Sequence, residues 1–64
     1  MSTSLFEKIL ENSYTEQQPL TLFLTSVRLQ GIVSTLYPGA VEIRTSEGKR
    51  CIIRTESIEA IETL

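Results

Sequence analysis

Side chains that could carry out catalysis are scarce in this sequence. The chain contains no histidine, the commonest general base at neutral pH, so no Ser/His/Asp or Cys/His set can be assembled. Cys51 is the only cysteine, and because it alternates with Ile53 in a strand-like pattern, we expect a small buried hydrophobic residue rather than a reactive thiol. Glu56 and Glu59 could bind a cation together, but neighbouring acids more often form a solvated face. These residue types predict no enzyme, no metal site and no small-molecule cofactor.

The length of the chain limits how it can be stabilised. Its 64 residues form one domain, residues 1–64, and a chain of this size buries only ~60% of the surface that its unfolded form exposes. A single cysteine excludes an intrachain disulfide, and the absence of histidine excludes a Cys/His metal site. Association of several copies is the remaining way to stabilise so small a core.

The charge balance argues against a general nucleic-acid-binding surface. Eight acidic residues outnumber six basic ones and give a net charge of −2, which is a poor electrostatic match for a polyanion. Any contact with nucleic acid must therefore depend on a local basic patch. The sequence has no signal-like segment and no apolar run of about 18 residues. With its single cysteine it is typical of a soluble cytoplasmic protein that does not enter a membrane.

An amphipathic helix is predicted near the start of the chain. Ser4 and Glu7 have the spacing of a capping box, in which each side chain satisfies a free N–H group near the other, so the helix should begin at about Leu5. Its apolar stripe consists of Leu5, Phe6, Ile9 and Leu10. Asn12 and Ser13 are expected to end it after about two turns. Because so short a helix is unstable alone, it must pack on a sheet or close an open end of a barrel.

Residues 20–36 are predicted to form two strands that fold back on each other, because seventeen extended residues would span ~55 Å in a globule only ~28 Å across. We place a tight turn near Thr25-Ser26, although neither residue favours the positive φ of common two-residue hairpins. Gly31 marks a sharp bend, since a residue without Cβ weakens a strand unless the backbone must curve or be approached closely. The face expected to be buried comprises Val27, Leu29, Gly31 and Val33.

Three further strands are expected after a type II turn that has Pro38 and Gly39 at its central positions. The predicted strands cover residues 40–45, 50–55 and 57–62. A second turn separates the first two of them, and the last strand begins either directly or through a tight helical turn. The sequence thus predicts a mainly β fold, in which a short N-terminal α-helix precedes a strongly bent five-stranded antiparallel small barrel.

Two adjoining segments of the sequence resemble a known protein family. Residues 20–24 read LTLFL and residues 27–33 read VRLQGIV. Together they resemble the first motif of bacterial Sm-like proteins of the Hfq type, where an apolar strand and hairpin lead into a Lys-Leu-Gln-Gly-like run. The order of one helix and five strands matches as well, from about residue 5 to residue 61. The resemblance implies an Sm-like barrel that forms a homo-oligomeric ring, such as a hexamer, by pairing the fourth strand of one subunit with the fifth of the next.

The resemblance also implies a site for single-stranded RNA. Phe23 aligns with a base-stacking tyrosine of the family, and Arg28 and Gln30 stand where a basic residue and a glutamine contact purine-rich RNA. Such a set suits the task, because stacking contributes about 1–3 kcal/mol per base and an amide can pair with base edges. Where the family has a Lys-His pair that holds uridine-rich RNA at the pore, this chain has Thr55-Glu56. The resemblance therefore implies weak RNA binding with a preference for purine-rich strands.

Other roles for these residues are compatible with the sequence. Phe23 could pack in the core or between subunits, Gln30 could be an ordinary exposed strand residue, and Arg28 could pair with a nearby glutamate. Three further basic residues alternate with acidic ones, which predicts a face of mixed charge rather than a second basic ring; they are Arg44, Arg50 and Arg54.

Two rival functions are also compatible with the sequence. The first is a ring-forming structural or protein-interaction module that has lost RNA binding, which the acidic composition and the missing Lys-His pair favour. The second is an SH3-like barrel that binds a peptide, for which two Phe and two Tyr are few aromatic residues.

Overall fold

One helix followed by five strands makes up the fold, of which the computed structural model describes residues 5–63. The elements are α1 (Leu5–Glu16), β1 (Leu20–Phe23), β2 (Arg28–Tyr37), β3 (Ala40–Thr45), β4 (Arg50–Arg54) and β5 (Ala60–Thr63). A 3₁₀ turn, Thr55–Ser57, joins β4 to β5, which is the second of the two predicted ways into the last strand. The predicted mainly β class is confirmed. Ser4, and with it the predicted capping box, lies outside the described residues.

The five strands form one antiparallel sheet in the order β4-β3-β2-β1-β5, so β4 and β5 are its two edges. The sheet is curled. This is shown by Leu22 of β1 and Ile53 of β4, which belong to one buried cluster although their strands are not neighbours. The whole buried cluster comprises Leu10, Leu20, Leu22, Val33, Val41, Ile43, Ile53 and Ile58. This curled sheet, with α1 packed on β2, is the small bent barrel that the sequence predicts.

Two local features of β2 accompany the curl of the sheet. Gly31 is buried between β1 and β3, and a Cβ atom built on it would lie against the carbonyl oxygen of Arg44 and 2.7 Å from Cγ2 of Ile43. Only a residue without a side chain permits this approach. Further along β2, the register of the ladder with β3 shifts between Val33 and Thr35, which marks a β-bulge that bends and twists the strand. The close backbone approach expected at Gly31 is observed, and the irregularity of the strand lies further along, between Val33 and Thr35.

The hairpin between β1 and β2 turns where the sequence predicts. The N–H of Leu24 donates to the carbonyl oxygen of Val27 at 2.8 Å, so Thr25 and Ser26 are the two loop residues. Neither has a positive φ. The turn is therefore not of the type that matches the twist of the strands, and regular pairing begins only at the Phe23 and Arg28 pair.

This turn geometry corrects one predicted burial. Val27 lies in the hairpin, before β2 begins, and its side chain is 55% exposed, so its expected place on the buried face is wrong. Val33 is fully buried and Leu29 is half-buried against the core, as predicted.

Helix α1 is longer than predicted, because Asn12 and Ser13 do not end it. It continues through Glu16 and ends in a Schellman motif, in which Gln17 has a left-handed φ of 56° and the N–H of Gln18 donates to the carbonyl oxygen of Ser13 at 3.2 Å. Within residues 5–63, no helix has the length and apolar character needed to cross a lipid bilayer.

Ser13 is buried instead of ending the helix. Its Oγ donates to the carbonyl oxygen of Gln18 at 2.6 Å and accepts the N–H of Val33 at 3.2 Å. The second bond satisfies a backbone donor of β2 next to the bulge. One hydroxyl thus joins the last turns of α1 to the bent strand, which is why a polar residue is tolerated at 3% exposure.

Candidate nucleic-acid interface

The three side chains that the resemblance assigns to RNA lie on one face of the β1–β2 hairpin. Phe23 and Arg28 are directly opposite each other in the ladder, and Gln30 is opposite Thr21. Opposite residues of an antiparallel pair project to the same side, as do residues two apart on one strand. All three therefore project away from the core, to the side of the sheet that we call the outer face.

The spacing on this face suits a short stretch of single strand. Directly opposite side chains such as Phe23 and Arg28 have Cβ atoms about 4.5–5.5 Å apart, and a diagonal neighbour such as Gln30 lies about 7–8 Å from Phe23. Arg28 and Gln30 are exposed. Phe23 is half-buried and belongs neither to the core cluster nor to the hydrophobic residues packed around it, so its interpretation as a core residue is wrong.

The arginines of the chain differ in whether they have an acidic partner. Arg50 pairs with Glu42 at 3.5 Å, and Arg54 pairs with Glu56 at 3.9 Å, which bears out the predicted face of mixed charge for these two. Arg28 contacts no carboxylate among residues 5–63, so the pairing considered for it is not formed. Arg44 is likewise exposed and without an ion pair within the described part of the chain.

The two sides of the outer face carry opposite charges. Towards β5, Glu62 is opposite Thr21 and therefore lies on this face, while Glu59 accepts a hydrogen bond from Oγ1 of Thr25 at 3.3 Å. Towards β3, Arg44 is opposite Ile32, which is on the same side as Arg28 and Gln30. An anionic ligand at Phe23 is therefore repelled from β5 and attracted towards β3.

The charges are also segregated along the sequence. Residues 28–54 contain five basic and two acidic side chains, whereas the rest of the chain contains one basic and six acidic side chains. The segment that contains β2, β3 and β4 is thus basic in net charge, in an acidic protein. Because Arg50 and Arg54 pair with glutamates, the arginines of this segment without an ion pair within residues 5–63 are Arg28 and Arg44.

The position of the family's Lys-His pair is acidic here. Thr55 and Glu56 line a cavity of about 490 Å³ between the start of α1 and the 3₁₀ turn. Its other lining residues are Leu5, Phe6, Glu7, Gly39 and Ile58. None of these side chains is cationic, so among residues 5–63 the lining of the cavity offers no counter-charge for a phosphate group.

The remaining candidate side chains occupy ordinary structural positions. Cys51 is a free cysteine that packs against the core as predicted, but it is half-buried rather than buried. Glu56 contacts Arg54, and Glu59 contacts Thr25. Within residues 5–63, no group of three or more His, Cys, Asp or Glu side chains is arranged to hold a metal ion.

Two members of the outer face, Arg44 and Glu62, are not singled out as site residues by the sequence. Strand alternation alone puts both on outward positions of their strands. Alternation does not predict the strand order and register. These bring Arg44 next to Ile32 and Glu62 next to Thr21.

A short helix on a curled five-stranded sheet, with its two edge strands unpaired within the described chain, defines an Sm-like small barrel. The fold is that of Hfq. A 1.55 Å crystal structure of Hfq, described as a pleiotropic translational regulator, matches this chain with a TM-score of 0.81 and 21% sequence identity over 94% of this chain and 100% of that one. No protein-family model matches the sequence, and no curated protein matches it.

Proposed function

We propose that this chain is the subunit of a homo-oligomeric Sm-like ring that binds single-stranded RNA through the outer face, with a preference for purine-rich strands. The observation that carries the proposal is the juxtaposition of Phe23, Arg28 and Gln30 on one side of the β1–β2 hairpin. An aromatic ring lies opposite an arginine that has no acidic partner within residues 5–63, and an amide lies on the diagonal. Together they combine three means of holding a nucleotide.

Each of the three side chains has a separate task in this proposal. A base stacks on the ring of Phe23, which every base can do because each has a π-face. Arg28 contacts the phosphate backbone, which has no sequence information. Gln30 supplies the preference, because an amide can form two hydrogen bonds with the N6 and N7 edge of adenine, an arrangement that uracil does not offer.

The edges of the sheet support the proposed assembly into a ring. Neither β4 nor β5 has a second strand partner within the described chain, and β4 exposes Ile52 to 63%. Unpaired edges of this kind recruit strands from other chains, and pairing β4 with β5 of the next copy is a head-to-tail contact that can close into a ring. The ring would repeat Arg28 once per subunit and so form a cationic belt.

A structural or protein-interaction ring without RNA is the second candidate function. It is favoured by the acidic neighbours of the outer face, Glu59 and Glu62, and by the lack of a cationic side chain among the described residues that line the cavity at Thr55 and Glu56. The two candidates share the ring and differ only in whether the outer face binds RNA.

Fluorescence anisotropy with labelled oligo-adenosine and oligo-uridine tests the proposal on the assembled protein. We expect the adenosine strand to bind more tightly, and binding of both strands to weaken as salt rises. Replacing both Phe23→Ala and Arg28→Ala should weaken oligo-adenosine binding about fivefold or more, because stacking on one aromatic ring contributes about 1–3 kcal/mol.

A matched control removes the same two kinds of side chain elsewhere. Tyr14 and Lys8 are exposed on α1, away from the outer face, so Tyr14→Ala with Lys8→Ala should leave the affinity unchanged. If a well-assembled wild-type ring binds neither strand, the structural candidate is correct. If binding survives in the outer-face variant, the RNA site lies elsewhere on the molecule.

A further inference from the structure

The positive charge of Arg44 is not compensated by its described neighbours in the sheet. It is directly opposite Arg50 in the β3–β4 ladder, and like charges in that position are destabilising. Glu42 compensates Arg50 at 3.5 Å. Arg44 has no such partner within residues 5–63, so its charge is fully available to a ligand.

The register places Arg44 within reach of the proposed RNA face. It is opposite Ile32, which makes it the diagonal neighbour of Gln30, about 7–8 Å away between the positions on the two strands. Arginine is long enough to cover that distance. Only the half-buried side chain of Ile32 separates the two on this side of the sheet, so the surface from Phe23 to Arg44 is continuous.

The charges around this surface favour one path for a bound RNA strand. Beyond Phe23, on the β5 side, Glu59 and Glu62 repel a phosphate backbone. Beyond Gln30, on the β3 side, Arg44 attracts it. A single-stranded RNA anchored at Phe23 therefore runs across β2 and then over β3.

We propose that Arg44 is a further RNA-binding residue, which contacts the phosphate backbone where the strand passes from Gln30 onto β3. This inference rests on the proposed function. It adds a defined path for the RNA across the outer face, from β1 to β3. It also adds a contact that does not depend on the identity of the base. A phosphate contact contributes equally to purine-rich and uridine-rich strands, in contrast to the base-edge contact proposed for Gln30.

Arg44→Gln in the assembled ring tests the inference by anisotropy with oligo-adenosine and oligo-uridine over a range of salt. We expect both affinities to fall by the same factor, and the slope of log K against log salt to become shallower by about 0.7 for each phosphate that the variant no longer neutralises. Arg44→Lys should keep the wild-type slope, because lysine also binds phosphate as a point charge. Lys8→Gln removes one charge from α1 and should change neither quantity.

Folding and the proposed function are controlled in the same series. Thermal melts of Arg44→Gln should show no loss of stability, because the substitution relieves the repulsion with Arg50. The inference is overturned if the wild-type ring binds RNA and Phe23→Ala weakens it, while Arg44→Gln behaves like Lys8→Gln; the proposed function then stands. If the wild-type ring binds neither strand, both the function and the inference fail.

Discussion

Gly31 is the residue on which the shape of the sheet depends most directly. Any side chain there would meet the backbone carbonyl of Arg44, which cannot move without disturbing the ladder between β2 and β3. We expect Gly31→Ala to lower the free energy of unfolding by about 1–3 kcal/mol, the usual cost of overpacking, and Gly31→Val to lower it further. Denaturant titration measures both values.

The control for this prediction is another glycine in open space. Gly48 has a φ of 84° and no heavy atom within 4 Å of a Cβ built on it. Gly48→Asn should therefore cost little, because asparagine tolerates the left-handed region. An unfolding free energy unaffected by Gly31→Ala would show that β3 does not approach the strand as closely as described.

Strand alternation in the sequence predicts on which face of the sheet a residue lies. Phe23, Arg28 and Gln30 were assigned to one site by resemblance, and the register places them on one face. Alternation does not say which arginine finds a glutamate, because the pairing of Arg50 with Glu42 depends on the strand register and on side-chain conformations. For the same reason the sequence does not predict that Arg44 has no acidic partner within residues 5–63.

At the scale of secondary-structure elements, the hydroxyl of Ser13 connects α1 to the bent strand. Ser13→Ala would leave the buried N–H of Val33 without this partner, and would also remove the part-buried bond to the carbonyl oxygen of Gln18. We expect a loss of about 1–3 kcal/mol in the free energy of unfolding, the cost of buried unsatisfied groups. Thr15→Ala, on an exposed position of the same helix, should be neutral or slightly stabilising. Equal melting temperatures for the two variants would contradict this role.

The strands could be predicted better than the end of the helix, because the signals that define the strands are local in the sequence. Turn chemistry at Pro38-Gly39 and strand alternation are short-range signals, and both predicted the observed elements. Asn12 and Ser13 have the residue types of a helix end, but a tertiary hydrogen bond to β2 keeps Ser13 helical and buried. A contact between residues twenty positions apart leaves no periodic trace in the sequence.

At the scale of the whole molecule, the barrel of one chain has unpaired edges and a core of eight buried hydrophobic residues among those described. Small size and lack of a disulfide predicted association from the sequence alone. The two strands exposed at the edges could not be deduced from composition, because they are set by the order β4-β3-β2-β1-β5. A ring closed by these edges is what the proposed cationic belt requires.

A substitution on the β4 edge should oppose assembly without unfolding the subunit. Ile52 is 63% exposed in one chain, so Ile52→Lys costs little within the subunit but places a charge on the pairing edge. Val27→Lys is the matched control, because Val27 is 55% exposed next to the hairpin turn, before β2 begins, and belongs to neither edge. Only the Ile52 variant should release smaller species.

Multi-angle light scattering of the wild-type protein at micromolar concentration is the most direct test of the central claim, that this Sm-like barrel works as a ring. We predict one species whose mass is a fixed multiple of 7.2 kDa, and a lower mass for Ile52→Lys but not for Val27→Lys. A wild-type species of 7.2 kDa, stable and folded as a monomer, would contradict the ring and with it the RNA-binding belt proposed for its outer face.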